Sequence, residues 1–205
     1  MIYKTKYLYS DINGKIKIVT NKITGKSSVA VGGLHQSGQL LINLWKQVIK
    51  RLPRAFQPAK ILLLGGGGGS LFPLIKKFYP QLTITAVEKD PVMWSLAQEL
   101  YPQFAQSTKA VITDAQNYVK ESQEKFDLIL VDLYVGKDIP EFVYTPDFIL
   151  ACRKLLTKEG FLIISFPVYE GRDLLLDNSW RSQKEFGLSP TIVETNTTHF
   201  AIYSK

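Results

Sequence analysis

The chain has 205 residues, 45% of them hydrophobic and 21% charged, with 25 Lys and Arg against 18 Asp and Glu for a net charge of +7. That length fits one domain, and that composition excludes a disordered or low-complexity chain. No apolar run approaches the roughly 18 residues of a membrane helix, the opening MIYKTKYLYSDINGK lacks the apolar stretch of a secretory signal, and the single Cys152 allows no internal disulfide. A cytoplasmic protein with no membrane partner is therefore expected.

Residues 1–53 read as a small β-rich segment followed by a helix. Residues 4–9 and 15–20 are strands flanking the turn Asp11-Ile12-Asn13-Gly14, and residues 27–31 follow Thr24-Gly25 as a third strand. Lys4, Lys6, Lys15, Lys17, Lys22 and Lys26 concentrate here. They read as a solvated basic face, so nucleic acid is disfavoured as a partner without being excluded. Ser37 is placed to cap a helix whose inward face is Leu40, Leu41, Leu44, Val48 and Leu52, ended by Pro53.

Residues 54–205 alternate strand and helix. Strands are predicted at 60–64, 83–87, 110–113, 127–132 and 161–166, with helices at 71–78, 91–100 and 115–121 between them. Thr145-Pro146-Asp147 starts a further helix that runs to about Gly160. A less regular helix is placed at 172–186, and the runs 191–195 and 200–203 close the chain as an antiparallel hairpin. Alternation of this kind implies a mostly parallel sheet with right-handed crossovers. Five such units plus a terminal hairpin match the Rossmann-like fold of S-adenosylmethionine-dependent transferases, with a seven-stranded sheet.

Ligand-type residues fall at the carboxyl ends of four successive predicted strands, where open parallel sheets bind small molecules. The first is Gly65-Gly66-Gly67-Gly68-Gly69-Ser70, where glycine lets a ligand approach the backbone and the following helix offers free N–H groups. No Gly-Lys-Ser/Thr follows, so it is not a phosphate-binding P-loop. Glu88, 19 residues on, is suited to accept from two ribose hydroxyls, of a dinucleotide or of S-adenosylmethionine. Asp114 and Asp132 end the next two strands, Asp114 also being placed to cap the helix that starts at Ala115. His35 and His199 have no metal spacing, so no metal is expected, and Cys152, Trp45, Trp94 and Trp180 read as packing residues.

Residues 62–70, Val87-Glu88-Lys89-Asp90, Asp114-Ala115 and the run 126–132 together resemble the motifs of spermidine synthases, the polyamine aminopropyltransferases. Leu63 also stands where methyltransferases of this fold usually carry an acid. The resemblance implies a nucleoside site built from Gly65, Gly66, Gly67, Gly69, Glu88, Lys89, Asp114 and Ala115. Glu88 would hold the ribose, Asp114 the adenine amine, and Gln36 would reach the cofactor from the N-terminal segment. Asp132 would assist the attacking amine as the catalytic acid–base, with Tyr134 lining the acceptor pocket unless it serves only packing.

Three departures alter the expected chemistry. Gly68 stands where the family carries the aspartate that meets the amine of decarboxylated S-adenosylmethionine. Val135 replaces a second strand-four aspartate, and the helix around Leu41–Leu44 lacks a Tyr-His-Glu. Without these anionic anchors a diamine has little to bind, and the repulsion that rejects ordinary S-adenosylmethionine is gone. The expectation is thus methyl transfer from S-adenosylmethionine to a small-molecule acceptor. Aminopropyl transfer from the decarboxylated form is the alternative, with a non-catalytic binding module or an RNA methyltransferase behind it. A homodimer is compatible with this reading.

Overall fold

The computed structural model describes every residue except Met1, Lys137, 169–176 and 178–182, so most of the helix expected at 172–186 lies outside the described residues. Two sheets make up the molecule. The first joins β1 (Tyr3–Ser10), β2 (Gly14–Asn21), β3 (Ser27–Val31) and β4 (Leu34–Ser37) in sequence order, all antiparallel. Strict alternation gives β2 a dry side, Ile16 and Ile18, and a wet one, Lys15 and Lys17. On that wet face Tyr9 pairs with Lys15 and Tyr7 with Lys17, and the Lys15 ammonium sits 4.3 Å from the Tyr7 ring. The lysines of the first segment are therefore mostly solvated.

The second sheet has seven strands: β5 (Lys60–Leu64), β6 (Thr83–Glu88), β7 (Thr108–Ile112), β8 (Phe126–Val131), β9 (Leu156–Pro167), β10 (Thr191–Glu194) and β11 (Thr198–Ser204). Their order is β10-β11-β9-β8-β5-β6-β7. The five strands β5 to β9 are mutually parallel, and β11 returns antiparallel between β9 and β10. Helices α1 (Gln39–Ile49), α2 (Leu71–Phe78), α3 (Pro91–Leu100), α4 (Pro102–Ala105), α5 (Ala115–Glu121) and α6 (Pro146–Lys154) cover its faces, and a short 3₁₀ turn, η1, spans Glu141–Tyr144. This is the expected α/β fold with its parallel sheet and closing hairpin.

Two cores sit on opposite faces of the large sheet. Ile61 and Leu63 of β5 point into one, with Trp45 of α1, Phe72 and Ile75 of α2, and Phe200. Leu62 and Leu64 point into the other, with Val119, Phe148, Ile149 and the buried Cys152. A strand buried on both faces needs an unbroken apolar run, which KILLL supplies. The small sheet has its own core, in which Ile16, Ile18, Val29 and Val31 pack on Met93 and Leu96 of α3. That contact swings the small sheet over the carboxyl ends of the large one.

Helix α1 differs from its expected form. Ser37 closes β4 and is buried, Gly38 precedes the helix, and Leu40 faces solvent, while Trp45, Val48 and Ile49 face the sheet. The buried stripe follows Trp45, whose large apolar surface outweighs that of the leucines. Helix α6 ends at Lys154 rather than near Gly160, because β9 takes Leu156 onward into the sheet beside Phe126. Pairing with a central strand overrides local helix propensity there.

Candidate active site

A cleft opens beyond the carboxyl ends of β5 to β8, under the small sheet. Gln36, Gly65, Gly66, Gly67, Gly69, Glu88, Lys89, Asp114, Ala115, Asp132 and Tyr134 all line this one cleft.

The glycine loop is shaped by what surrounds it. Gly65 has φ 94, and a side chain there would collide with the carbonyl oxygen of Asp132. Its backbone N–H donates to Val87 O at 2.9 Å, so the loop is fastened to β6 as it leaves β5. Gly68 behaves differently, since it does not line the cleft. A Cβ there would lie 2.8 Å from Ser37 Cβ and 3.0 Å from Val29 Cγ2. The small sheet occupies the space that an acidic side chain would need.

Glu88 ends β6 and is held by two backbone donors. Gly67 N–H donates to Oε2 at 2.7 Å and Asp90 N–H donates to Oε1 at 2.9 Å. Burial pushes its pKa up, against those two hydrogen bonds. Each oxygen keeps a lone pair for a further donor, the arrangement needed to grip two adjacent hydroxyls. Asp114 caps α5 by accepting from Gln116 N–H at 2.8 Å and pairs with Lys89 Nζ at 3.1 Å. Burial opposes its charge, but the Lys89 ammonium and the Gln116 N–H outweigh it and hold the carboxyl below its ordinary range.

Asp132 sits just beyond the end of β8 and is only 9% exposed. Ser165 Oγ of β9 donates to its Oδ1 at 2.7 Å. The Trp45 indole N–H is close enough to favour the charged form, though outside hydrogen-bond geometry. Burial outweighs both and raises the carboxyl to a pKa of about 6. A carboxylate of that basicity can take a proton near neutral pH, which an exposed aspartate does poorly. Tyr134, two residues on, is half-buried against the second core.

Gln36 lines the cleft, but its Nε2 donates to Gly136 O at 2.9 Å, so the side chain ties down the loop after β8 rather than pointing free toward a ligand. The partner of this contact is Asn13, which reads in the sequence as a turn residue only. Asn13 Oδ1 accepts from Gly136 N–H at 3.0 Å, and its Nδ2 donates to Asp90 Oδ2 at 2.6 Å. Ser10 Oγ donates to the same oxygen, and Asp90 Oδ1 caps α3 by accepting from Val92 N–H at 2.8 Å. Asp90, buried and adjacent in sequence to Lys89, is thus the hub that locks the β1–β2 turn over the cleft. Among the described residues no group of three or more His, Cys, Asp or Glu could hold a metal ion, and no helix is long and apolar enough to cross a membrane.

Comparison with known proteins corrects one expectation. Residues 43–171 match the spermine/spermidine synthase domain. A polyamine aminopropyltransferase of Vibrio vulnificus is 34% identical over 111 residues, which are 52% of this chain and 37% of that protein. One of Buchnera aphidicola is 27% identical over 197 residues, 90% of this chain and 66% of that protein. The chain therefore spans between about a third and two thirds of these relatives. In fold, the spermidine synthase of Thermotoga maritima superposes with TM-score 0.72 at 19% identity, covering 98% of this chain and 72% of that one. The expected methyl transfer does not stand, because the matching domain and these relatives carry aminopropyltransferase names. Gly68 and Val135 are departures inside that family rather than marks of another. With the matched domain spanning the glycine loop, Glu88, Asp114 and Asp132, the chain belongs to the spermine/spermidine synthase family.

Proposed function

We propose that the protein is a polyamine-type aminopropyltransferase that takes decarboxylated S-adenosylmethionine as donor and a small amine as acceptor. The observation that carries this reading is Asp132, a buried carboxylate held by Ser165 and lining the same cleft as the glycine loop, Glu88 and Asp114. Glu88 grips the ribose hydroxyls, Asp114 faces the adenine amine, and the glycine loop lets the sulfonium end approach the backbone. Lys89 shapes the adenine side through its ion pair with Asp114.

The reaction is an in-line displacement. The acceptor nitrogen, as the neutral amine, attacks the propyl carbon next to sulfonium with its lone pair, the C–S bond breaks, and methylthioadenosine leaves with both electrons of that bond. The nitrogen becomes more acidic as the new C–N bond forms, and Asp132 takes its proton. The sulfonium charge vanishes in the transition state, so the protein contributes mainly positioning and proton removal. Ser165 keeps the Asp132 carboxylate in place throughout. Incubation with decarboxylated S-adenosylmethionine and a mixture of amines should release methylthioadenosine, seen by mass spectrometry. Asp132→Asn should cut that release by roughly 100-fold or more, the usual scale for losing a proton acceptor. Full activity in Asp132→Asn would remove the carboxylate from the mechanism.

A further inference from the structure

Residues 1–87 hold 13 Lys and Arg and a single acid, Asp11, whereas residues 88–205 hold 12 against 17. In the sequence those cations are scattered, and the fold gathers part of them onto one surface. None of the four strands of the small sheet contains Asp or Glu. Residues paired across an antiparallel sheet project to the same side. Tyr7, Lys17, Ala30 and His35 therefore make one row across all four strands, on the side away from the α3 core. Tyr9 and Lys15 make a second row beside it, and Tyr3 lies on the same side. The three tyrosines are 55% (Tyr3), 53% (Tyr7) and 74% (Tyr9) exposed, and Lys15, Lys17 and His35 are exposed as well. None of these six lines the cleft.

We propose that this outer face of the small sheet binds single-stranded nucleic acid, at a second site separate from the cleft and independent of how the cleft is read. Bases stack on exposed aromatic rings, and lysine ammoniums meet the phosphates that link them. Tyr7 and Tyr9 stand about 7 Å apart along their strand. Lys17 and Lys15 lie directly across from them, so rings and charges run side by side along the sheet. The Lys15 ammonium already rests 4.3 Å from the Tyr7 ring centroid, which restrains both side chains before a ligand arrives. A duplex keeps its bases stacked inside and offers the rings nothing, so the strand must be single. A second copy of this chain matches the face poorly. A two-fold contact would set lysine rows against each other, with no acid on these strands to separate them.

The test is fluorescence anisotropy of the full chain with a labelled oligouridine of about 20 nucleotides, alone and annealed to its complement. The single strand should bind, and roughly fivefold or more tighter than the duplex. Tyr7→Ala and Tyr9→Ala should each weaken single-strand binding by roughly fivefold or more, while Tyr7→Phe, which keeps the ring, should bind as the wild type does. Lys15→Gln with Lys17→Gln should weaken binding too, and should flatten the slope of log Kd against log salt by about 1.4. Lys46→Gln with Lys50→Gln removes the same charge from exposed positions on α1 and should leave affinity within about twofold near 0.1 M salt. Melting temperatures should match the wild type throughout, since every replaced side chain is exposed. Absence of single-strand binding at about 50 mM salt would overturn the proposal. So would equal or tighter binding of the duplex, or tyrosine-to-alanine variants that bind unchanged. A tyrosine-dependent dimer that oligouridine fails to dissociate would overturn it as well, because a second copy then covers the face.

Discussion

Burial holds the Asp132 carboxyl at a pKa of about 6, well above the 3.8 of a free aspartate, and this couples activity to stability. A raised carboxyl pKa means that the fold prefers the protonated form. Its contribution is fully present below the unfolded value and is lost as pH rises through 6. Near pH 7.5 the ionised side chain therefore costs on the order of 2–3 kcal/mol. Asp132→Asn keeps the Ser165 hydrogen bond and removes the charge, so its melting temperature at pH 7.5 should exceed the wild type's by several degrees while turnover collapses. At pH 4 the gain should largely disappear. The wild-type kcat should fall as pH drops below about 6, where the base becomes protonated, and thermal melts with rate profiles check both limbs.

Donor recognition falls on Glu88, while Gly68 brings no charge to it. Because Glu88 also anchors Gly67 and Asp90, its truncation to alanine would strand two backbone N–H groups, and Glu88→Gln is the cleaner probe. Losing charge-assisted bonds to ribose should weaken donor binding by about 1.5–3 kcal/mol, roughly 10- to 150-fold, by calorimetry. Ordinary S-adenosylmethionine should bind within tenfold of its decarboxylated form and compete with it, since Gly68 places no carboxylate against the methionine carboxyl. A preference of tenfold or more, about 1.4 kcal/mol, would show that another group discriminates.

Among the elements, the strand ends of the large sheet were the most legible part of the site. Buried parallel strands need continuous apolar runs, and the residue after each run falls on the ligand rim by topology alone, so Gly65, Glu88, Asp114 and Asp132 could be placed without coordinates. What escaped the sequence came from distant contacts. Asn13 lies 123 residues from Gly136, and Ser165 lies 33 from Asp132, and neither pairing leaves a periodic trace. β4 escaped too, being four residues long with a bulged register against β3. The Asn13 and Gln36 grip implies that the small sheet and the loop after β8 form one working element. Asn13→Ala with Gln36→Ala should raise the acceptor KM severalfold with little change in donor affinity, and should speed amide exchange at Gly136. Unchanged acceptor kinetics would reduce the grip to a fold contact.

For the whole molecule, the alternation of strands and helices specified the architecture, while the transferred group was misread from three departures. Gly68, Val135 and the missing Tyr-His-Glu around Leu41–Leu44 suggested methyl transfer when each was weighed as a missing charge. In the fold, Gly68 is dictated by the small sheet pressing Ser37 and Val29 onto the loop, so its identity reflects packing as much as chemistry. Gly65 carries the same lesson in a stricter form. Gly65→Ala would drive a methyl group into the Asp132 carbonyl and should cost about 3 kcal/mol or more, read from urea melts. The central claim is that the propyl carbon, not the methyl carbon, is the site of attack. The most direct measurement supplies decarboxylated S-adenosylmethionine with a carbon-13 label in the propyl chain and deuterium in the methyl group, together with an amine acceptor. Mass spectrometry of the products should find carbon-13 on the amine and deuterium in the released methylthioadenosine. Deuterium on the amine, with carbon-13 left in the nucleoside product, would contradict the account.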